Sequence, residues 1–242
     1  MKKRKNLAPG ALTAPIPPAI VTVGDENRSN MLTVAWTGIL ATVPPKTYVS
    51  IRPSRHSYAI LKERGEFVIN LPTVGLARKV DYIGIYTGAK VDKFEKCGLT
   101  RQKSKVVSAP TVAECPIALE CRVTEVLPMG SHDVFMADIV SVSCHEELID
   151  GEGKIHFEDA DLLAYAHGEY YKLGERVGRF GFSTDKAKKP AKTAERITTE
   201  GDGAPKKKPF YENAPKSKKH TKKKAADKDH GRPHGKRAQN KT

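Results

Sequence analysis

The stretch CPIALECRVTEVLPMG, residues 115–130, runs directly into SHDVFMADIVSVSCHEELI, residues 131–149. Apolar and polar residues alternate in both stretches, as is typical of half-buried antiparallel strands, and Pro128-Met129-Gly130 supplies a turn between them. A parallel pair would need a crossover helix between its strands, and the sequence offers none here. We therefore predict a long antiparallel hairpin.

Shorter strands are predicted before this hairpin. Residues 19–42, AIVTVGDENRSNMLTVAWTGILAT, indicate a strand, a polar turn at 24–30 and a second strand through Trp36. The prolines at 44–45 end that run, and two further strands are expected at 47–53 and 66–72. Short helices are predicted at 57–63 and 74–83, with a turn around 92–96. Many strands at short spacing with few helices indicate an antiparallel barrel or sandwich.

The positive charge is concentrated at the carboxyl end. The net charge of +14 comes from 42 basic and 28 acidic residues, and residues 184–242 contain 19 of the former but only 7 of the latter. This segment has no hydrophobic periodicity, so it cannot bury enough apolar area to offset the entropy of ordering. We predict a disordered basic tail over 184–242, where non-specific contact with polyanions is one expectation and a solvated extension is the alternative.

The cysteines and the amino terminus favour a reduced, cytoplasmic protein. The four cysteines show no metal-ligand spacing, so we expect small core residues and no metal site. The first residues carry charge without the apolar stretch of a signal peptide, and no later run is long enough to span a bilayer. Membrane insertion is therefore not expected.

A candidate anion site lies in residues 49–60, VSIRPSRHSYAI. Arg52 and Arg55 can donate charge-assisted hydrogen bonds to phosphate oxygens. Serine hydroxyls and the N–H groups at the start of a helix would add neutral donors, and Pro53 fixes the turn. On these residues alone two interpretations stay open, a phosphate-binding turn and a capped surface turn.

Residues 30–72, NMLTVAWTGILATVPPKTYVSIRPSRHSYAILKERGEFVINLP, together with short stretches at 80–82, 92–94, 113–116, 130–133 and 164–174, carry a resemblance to a known family. They resemble the FMN-binding split-barrel flavin reductases, and in particular the flavoredoxin-like branch. The resemblance covers about residues 15–182. It implies a mainly β fold, an antiparallel Greek-key split β-barrel with a few short helices, and a homodimer with FMN in a groove near the subunit interface. The expected organisation is an arm at 1–14, the FMN-binding domain at 15–183 and the tail at 184–242.

The resemblance also implies which residues contact the flavin. One segment would line the isoalloxazine ring, a second would hold the phosphate, and a third would give main-chain contacts at the end of a strand. The candidate FMN-binding residues are Thr33, Val34, Ala35, Trp36, Ser50, Arg52, Arg55, Ser57, Asn70 and Leu71. A purely structural role for Trp36, as a packed core residue, stays open.

His132 is the candidate catalytic residue. The segment 130–137 resembles the G-D-H-x-x-x-x-G segment associated with nicotinamide binding, although Ser131 replaces the Asp and Ala137 replaces the second Gly. An imidazole there could orient NADH or NADPH, and the alternative is a surface histidine at a hairpin. Tyr165, His167 and Tyr170 belong to a segment expected either to fold over the flavin or to pack between subunits.

Three functions follow as hypotheses. The first is an enzyme, an NAD(P)H-dependent flavin reductase that transfers hydride from the nicotinamide to FMN. The second is a flavoredoxin-type electron carrier that keeps FMN bound and exchanges electrons with a partner protein. The third is a polyanion-binding protein that acts through the basic tail. The two departures from the family pattern in residues 130–137 slightly favour the carrier.

Overall fold

The computed structural model describes residues 2–184. Its larger strands form one seven-stranded antiparallel sheet, and two-stranded pairs complete the β-structure. The strands are β1 Ala19–Gly24, β2 Ser29–Val34, β3 Thr37–Thr42, β4 Pro45–Ile51, β5 Glu66–Leu71, β6 Arg101–Gln102, β7 Thr111–Val112, β8 Ile117–Pro128, β9 Asp133–Cys144, β10 Leu163–Ala166 and β11 Glu169–Lys172. The helices are α1 His56–Arg64, α2 Ala77–Ile85 and α3 Lys93–Cys97, with 3-10 turns at Val74–Leu76, Glu146–Leu148, Phe157–Asp159 and Phe182–Thr184.

The order of the strands forces the sheet to close into a barrel. The order is β2-β1-β5-β8-β9-β4-β3, so β2 and β3 lie at opposite edges. Only Ala35 and Trp36 separate these two strands in the chain. Two residues span a few ångströms, so both edges must meet at this link. There the N–H of Ser50 in β4 donates to the Trp36 carbonyl at 2.9 Å.

The central hairpin provides the curvature that closure needs. β8 and β9 are each 12 residues long and pair antiparallel, which confirms the predicted hairpin. Their register shifts between Glu120 and Cys121 and again between Val123 and Glu125. Such bulges bend a strand and increase its twist.

The core has two layers, one on each side of β1. Inside the barrel, Val21 of β1 packs with Phe67 of β5 and Phe135 of β9, and α1 adds Ile60 and Leu61. On the outer side, residues such as Ile20 pack beneath α2 and α3. β1 is buried along its whole length because both of its faces are covered.

Several expected elements are confirmed and one is wrong. The helix expected at 57–63 is α1, and the turn around 92–96 is α3, which begins at an Asp92 N-cap. The helix expected at 74–83 is a 3-10 turn followed by α2. The strand expected to run through Trp36 instead ends at Val34, and β3 begins at Thr37. A continuous strand could not reach both edges of the sheet.

The structure describes the amino-terminal segment but, of the predicted carboxyl-terminal tail, only Thr184. Residues 2–14 contain no regular strand or helix, and the N–H and carbonyl of Ile16 both bond to Tyr165 of β10. The predicted tail at 184–242 lies outside the described residues apart from Thr184, so its disorder, its boundary and its contacts with polyanions stay predictions. Among residues 2–184, no helix is both long and apolar enough to cross a membrane.

The buried carboxylate of Glu120 fixes the loop at 103–109. Glu120 is 1% exposed, and its carboxylate accepts hydrogen bonds from the backbone N–H groups of Lys105, Val106 and Val107 at 2.9, 2.6 and 3.0 Å. A carboxylate offers only acceptors, which suits three converging N–H donors.

We predict that Glu120→Gln lowers the free energy of unfolding by about 2–3 kcal/mol, because an amide nitrogen would then face backbone N–H groups. Urea unfolding measures the change. Glu125→Gln, at an exposed position of the same strand, is the matched control and should leave stability within about 0.5 kcal/mol of the wild type. Equal stabilities for the two variants would contradict this role of Glu120.

Candidate functional site

A cavity of about 680 Å³ lies at the link between β2 and β3. This volume is within the usual range for cofactor pockets, roughly 300–1,000 Å³. The end of β2, the end of β4, the start of α1, the end of α2, α3, the β8–β9 turn and the β10–β11 hairpin all contribute to its walls. The lining residues are Pro18, Asn30, Leu32, Thr33, Val34, Ala35, Trp36, Ser50, Ile51, Arg52, Ser54, Arg55, His56, Ser57, Ile83, Gly84, Tyr86, Thr87, Gly88, Lys93, His132, Tyr165 and Tyr170.

Nine of the eleven candidate FMN-binding and catalytic residues lie on this one cavity. They come from β2 and its link to β3, from β4, from the turn before α1 and the start of α1, and from the β8–β9 turn. The nine are Thr33, Val34, Ala35, Trp36, Ser50, Arg52, Arg55, Ser57 and His132.

Asn70 and Leu71 do not line the cavity, and the main-chain flavin contacts expected of them stay a prediction. Asn70 is fully buried on the outer layer, where its amide nitrogen donates to the Ile20 carbonyl at 2.9 Å and its oxygen accepts from the N–H of Val112 at 2.8 Å. Leu71 packs against the barrel interior. Asn70 joins β1 to β7, and its polar atoms are already used.

The turn at residues 52–55 is exposed, and no side chain caps the helix that follows it. Arg55 occupies the N-cap position of α1, and no side chain caps the first N–H groups of the helix. A guanidinium has donors only, so it could not cap them. The backbone N–H of Arg55 bonds to the Arg52 carbonyl at 3.0 Å, and the guanidinium of Arg55 donates to the Gly84 carbonyl at 3.2 Å. The arrangement leaves donors and positive charge beside the cavity, which favours the anion-binding interpretation.

Ser57 is held in a fixed position on the cavity wall. The side chain is 1% exposed, and its oxygen accepts a hydrogen bond from the Asn30 amide at 2.7 Å. A hydroxyl that accepts one hydrogen bond can still donate its own proton. Gly88 lies against the same asparagine, since a Cβ at that position would be 2.1 Å from Asn30 Oδ1.

His132 lies in the β8–β9 turn near the two arginines. Its Nδ1 is 2.9 Å from the Ser131 hydroxyl. Burial and the positive charges of Arg52 and Arg55 lower the pKa of His132 below its usual value of 6.5. The imidazole is therefore largely neutral at pH 7, so one ring nitrogen can donate a hydrogen bond and the other can accept one.

The β10–β11 hairpin covers another part of the cavity. Tyr165 and Tyr170 both line it, with their ring centroids 5.4 Å apart, and the Tyr170 hydroxyl is 3.4 Å from Asp81. His167, in the turn of this hairpin, is not among the lining residues. The two tyrosines are thus placed to cover a bound ligand.

Sequence reasoning missed Lys93 and the residues at the end of α2 and just after it. Lys93 lies in the stretch 92–94 that contributed to the family resemblance, but it begins a short polar helix and gives no sign of burial. Gly84 and Tyr86 follow the predicted helix and carry no motif. Only the packing of α2 and α3 against β2 places these residues on the cavity wall.

The cysteines take no part in the cavity. Cys115 and Cys121 are buried in the core, as expected, and burial raises the pKa of each thiol to about 12. Cys97 and Cys144 are half-buried, and all four are free.

Comparisons with known proteins agree with this architecture. Residues 12–174 match the model of the flavin reductase like domain. The flavoredoxin of Desulfovibrio vulgaris (Miyazaki F) superposes with a TM-score of 0.71 at 32% identity, covering 76% of this chain and 100% of that one. An uncharacterized protein of Archaeoglobus fulgidus is 35% identical over 136 residues, which cover 56% of this chain and 77% of the relative.

A relative with a named activity is more distant. The FMN reductase (NADH) RutF of Pseudomonas syringae pv. syringae is 25% identical over 154 residues, which cover 64% of this chain and 77% of the relative. The matched domain spans the barrel and every element that lines the cavity. The chain belongs to the flavin reductase-like family, a family of flavin-related oxidoreductases with the split-barrel fold.

Proposed function

We propose that this protein binds FMN in the cavity at the β2–β3 link and acts as an NAD(P)H-dependent flavin reductase. The observation that carries the proposal is the polarity of the cavity. Arg52 and Arg55 give one side of the cavity positive charge. Val34 and Trp36 give it apolar side chains at the end of β2 and in the β2–β3 link. A flavin mononucleotide has the matching parts, an anionic phosphate and a flat ring system with polar edges.

Each group of residues has a distinct role in this proposal. Arg52 and Arg55 bind the phosphate with charge-assisted hydrogen bonds, and Ser50 and Ser57 add hydroxyl donors. The backbone of residues 33–36 lies along the ring. When bound, FMN supplies the electron-transfer chemistry, while the protein positions the ring and limits access of water.

His132 is proposed to orient the nicotinamide substrate. It is largely neutral at pH 7, so its ring can hydrogen-bond to an amide without adding charge. The name of the Pseudomonas relative includes NADH as a reductant, which supports a nicotinamide donor here.

A flavoredoxin-type electron carrier is the second candidate. Its support is the similarity to the Desulfovibrio flavoredoxin, whose whole chain is covered. In a carrier the FMN would stay bound, and a partner protein rather than a nicotinamide would supply or accept electrons.

We also propose that the protein is a homodimer in the cytoplasm. The β3–β4 hairpin exposes apolar side chains: Ile39 is 62% exposed, Leu40 49% and Val43 81%. Three exposed apolar side chains on one hairpin favour an interaction surface there. The four free cysteines suit a reducing compartment.

If the β3–β4 hairpin forms the dimer interface, replacing its apolar side chains by charged ones should separate the subunits. We expect the wild type to sediment as a dimer and the double variant Ile39→Glu/Val43→Glu as a monomer. Analytical ultracentrifugation measures the mass. Val142→Glu, which adds a charge at another exposed apolar position, is the control. A monomeric wild type would contradict the proposal.

Arg52→Ala should weaken FMN binding by about 1.5–3 kcal/mol, as expected for the loss of a hydrogen bond to a charged group. Riboflavin lacks the phosphate, so its affinity should change little. Titration calorimetry with both flavins measures the effect. Arg64→Ala removes an arginine that pairs with Asp25 outside the cavity and should spare both affinities. Equal weakening of the two flavins by Arg52→Ala would contradict the phosphate assignment.

A reductase should oxidise NADH or NADPH at a rate that rises with added FMN, and His132→Ala should raise the KM for the nicotinamide while sparing FMN affinity. Steady-state kinetics, with the absorbance spectrum of the purified protein, measure both effects. A carrier would purify with bound FMN and oxidise neither nicotinamide. Unchanged nicotinamide kinetics in a stable His132→Ala protein would remove His132 from the site.

A further inference from the structure

A hydrogen bond between Tyr58 and Asp133 joins α1 to the start of β9. The Tyr58 hydroxyl donates to Asp133 Oδ2 at 2.6 Å, although 75 positions separate the two residues in the chain. Both side chains are half-buried, and neither lines the cavity. Each residue directly follows one that does line it, Ser57 in the first case and His132 in the second. The bond thus lies just behind the cavity wall.

The β8–β9 turn that carries His132 depends on this bond for its attachment to α1. Within residues 2–184, both hydrogen bonds of His132 stay inside the turn: Nδ1 bonds to the Ser131 hydroxyl at 2.9 Å, and the carbonyl accepts from the N–H of Met129 at 2.8 Å. The pairing of β9 with both β4 and β8 ends at Asp133. Asp133 is therefore the last residue that ties the turn to the barrel.

Tyr58 is a rigid partner for Asp133. Its backbone N–H bonds to the Arg55 carbonyl at 2.9 Å in the first turn of α1. Its ring packs edge-on against the fully buried Phe135, with the centroids 5.4 Å apart, and Lys62 Nζ lies 5.8 Å from the ring centroid. Since helix and ring are both held, the hydroxyl offers Asp133 a fixed donor.

We propose that Tyr58 and Asp133 are positioning residues that hold His132 at the cavity and thereby set the affinity for the nicotinamide substrate. The inference rests on the proposed function and deepens it, because neither residue reaches the cavity itself. Catalytic geometry is sensitive to such support, since a displacement of about 1 Å can cost roughly a hundredfold in rate. The hydrogen bond acts on the substrate only through the place it gives to the imidazole.

The protonation of Tyr58 suits a positioning role. The hydrogen bond to Asp133 and burial raise the pKa of Tyr58 above its usual value of 10.0. The hydroxyl therefore keeps its proton at neutral pH and remains the donor. A general acid or base would need a pKa near the working pH, which this phenol lacks.

Tyr58→Phe removes the hydroxyl and keeps the ring. We expect the KM for the nicotinamide to rise at least about fivefold, while the dissociation constant for FMN changes less than about twofold. Steady-state kinetics and flavin titration measure the two quantities. Tyr171→Phe is the matched control, because the Tyr171 hydroxyl also donates to a carboxylate, that of Glu169, and does not line the cavity. This control should leave both quantities unchanged.

Two substitutions at Asp133 separate the hydrogen bond from the charge. Asparagine keeps an oxygen that can accept from Tyr58, whereas alanine does not. We expect the KM for the nicotinamide to stay within about twofold of the wild type in Asp133→Asn and to rise at least about fivefold in Asp133→Ala. Asp138→Ala, which removes a carboxylate paired with Lys46 on the same strand, is the control. Equal increases in the two Asp133 variants would assign the effect to charge and overturn the proposal.

The pKa of His132 gives a measurement that needs no turnover. In the wild type, burial and the charges of Arg52 and Arg55 lower this pKa below 6.5. Tyr58→Phe changes no charge at neutral pH, so a rise of the pKa toward 6.5 would report that the released imidazole has moved toward water and away from the arginines. Both arginines stay charged throughout the titration. Nuclear magnetic resonance of the histidine ring protons measures the pKa, and Tyr171→Phe should leave it unchanged.

The outcomes separate this inference from the proposed function. A wild type that oxidises a nicotinamide, together with a folded Tyr58→Phe protein whose KM and His132 pKa are unchanged, would overturn the positioning role alone. A wild type that oxidises neither NADH nor NADPH would overturn the proposed reductase and the substrate half of this inference. The hold on His132 would still be supported by a raised His132 pKa in Tyr58→Phe and overturned by an unchanged one.

Discussion

The two-residue link between β2 and β3 is the constraint on which the rest of the structure depends. Because these strands occupy opposite edges of a seven-stranded sheet, Ala35 and Trp36 can join them only if the sheet curls until its edges meet. The link interrupts the strand pairing at this point, and the cavity lies there. The same geometry that closes the barrel thus leaves backbone and small side chains facing a ligand-sized space.

In the ligand-free protein, the positive charges around the cavity lower the free energy of unfolding. The pKa values of both Lys93 and His132 are lowered, in each case by burial and by neighbouring arginines. A lowered pKa means that the unfolded chain binds the proton more tightly, so the protonated forms of these groups oppose folding. For Lys93 this penalty is fully present below pH 8 and disappears as the pH rises toward 10.5. An anion that binds only the folded state offsets the penalty, which links ligand binding to stability.

Local patterns predicted much of the fold and of the site, while features decided by tertiary packing were missed. The alternation in residues 115–149 predicted the β8–β9 hairpin, and the arginine pair at 52 and 55 identified one wall of the cavity. The break at Ala35–Trp36 was missed because residues 31–42 have strand character throughout, and the break follows from barrel closure. The contacts expected at Asn70 were main-chain contacts and stay a prediction, while its side chain faces the outer layer because side chains alternate along a strand. Lys93 was missed because burial of a lysine at a helix start depends on contacts with β2 and α2.

The way the cavity is built explains how a reductase and an electron carrier can share one scaffold. The proposed flavin contacts come from the β2–β3 link and from the turn before α1, which barrel closure holds in place. In the proposed function, the residues that would meet a second substrate are His132 in the β8–β9 turn and Tyr165 in β10, outside the β2–β3 link. A change at those positions would alter what approaches the flavin without altering the link. Under this proposal the two hairpins set the choice between a nicotinamide and a partner protein, and barrel closure sets flavin binding.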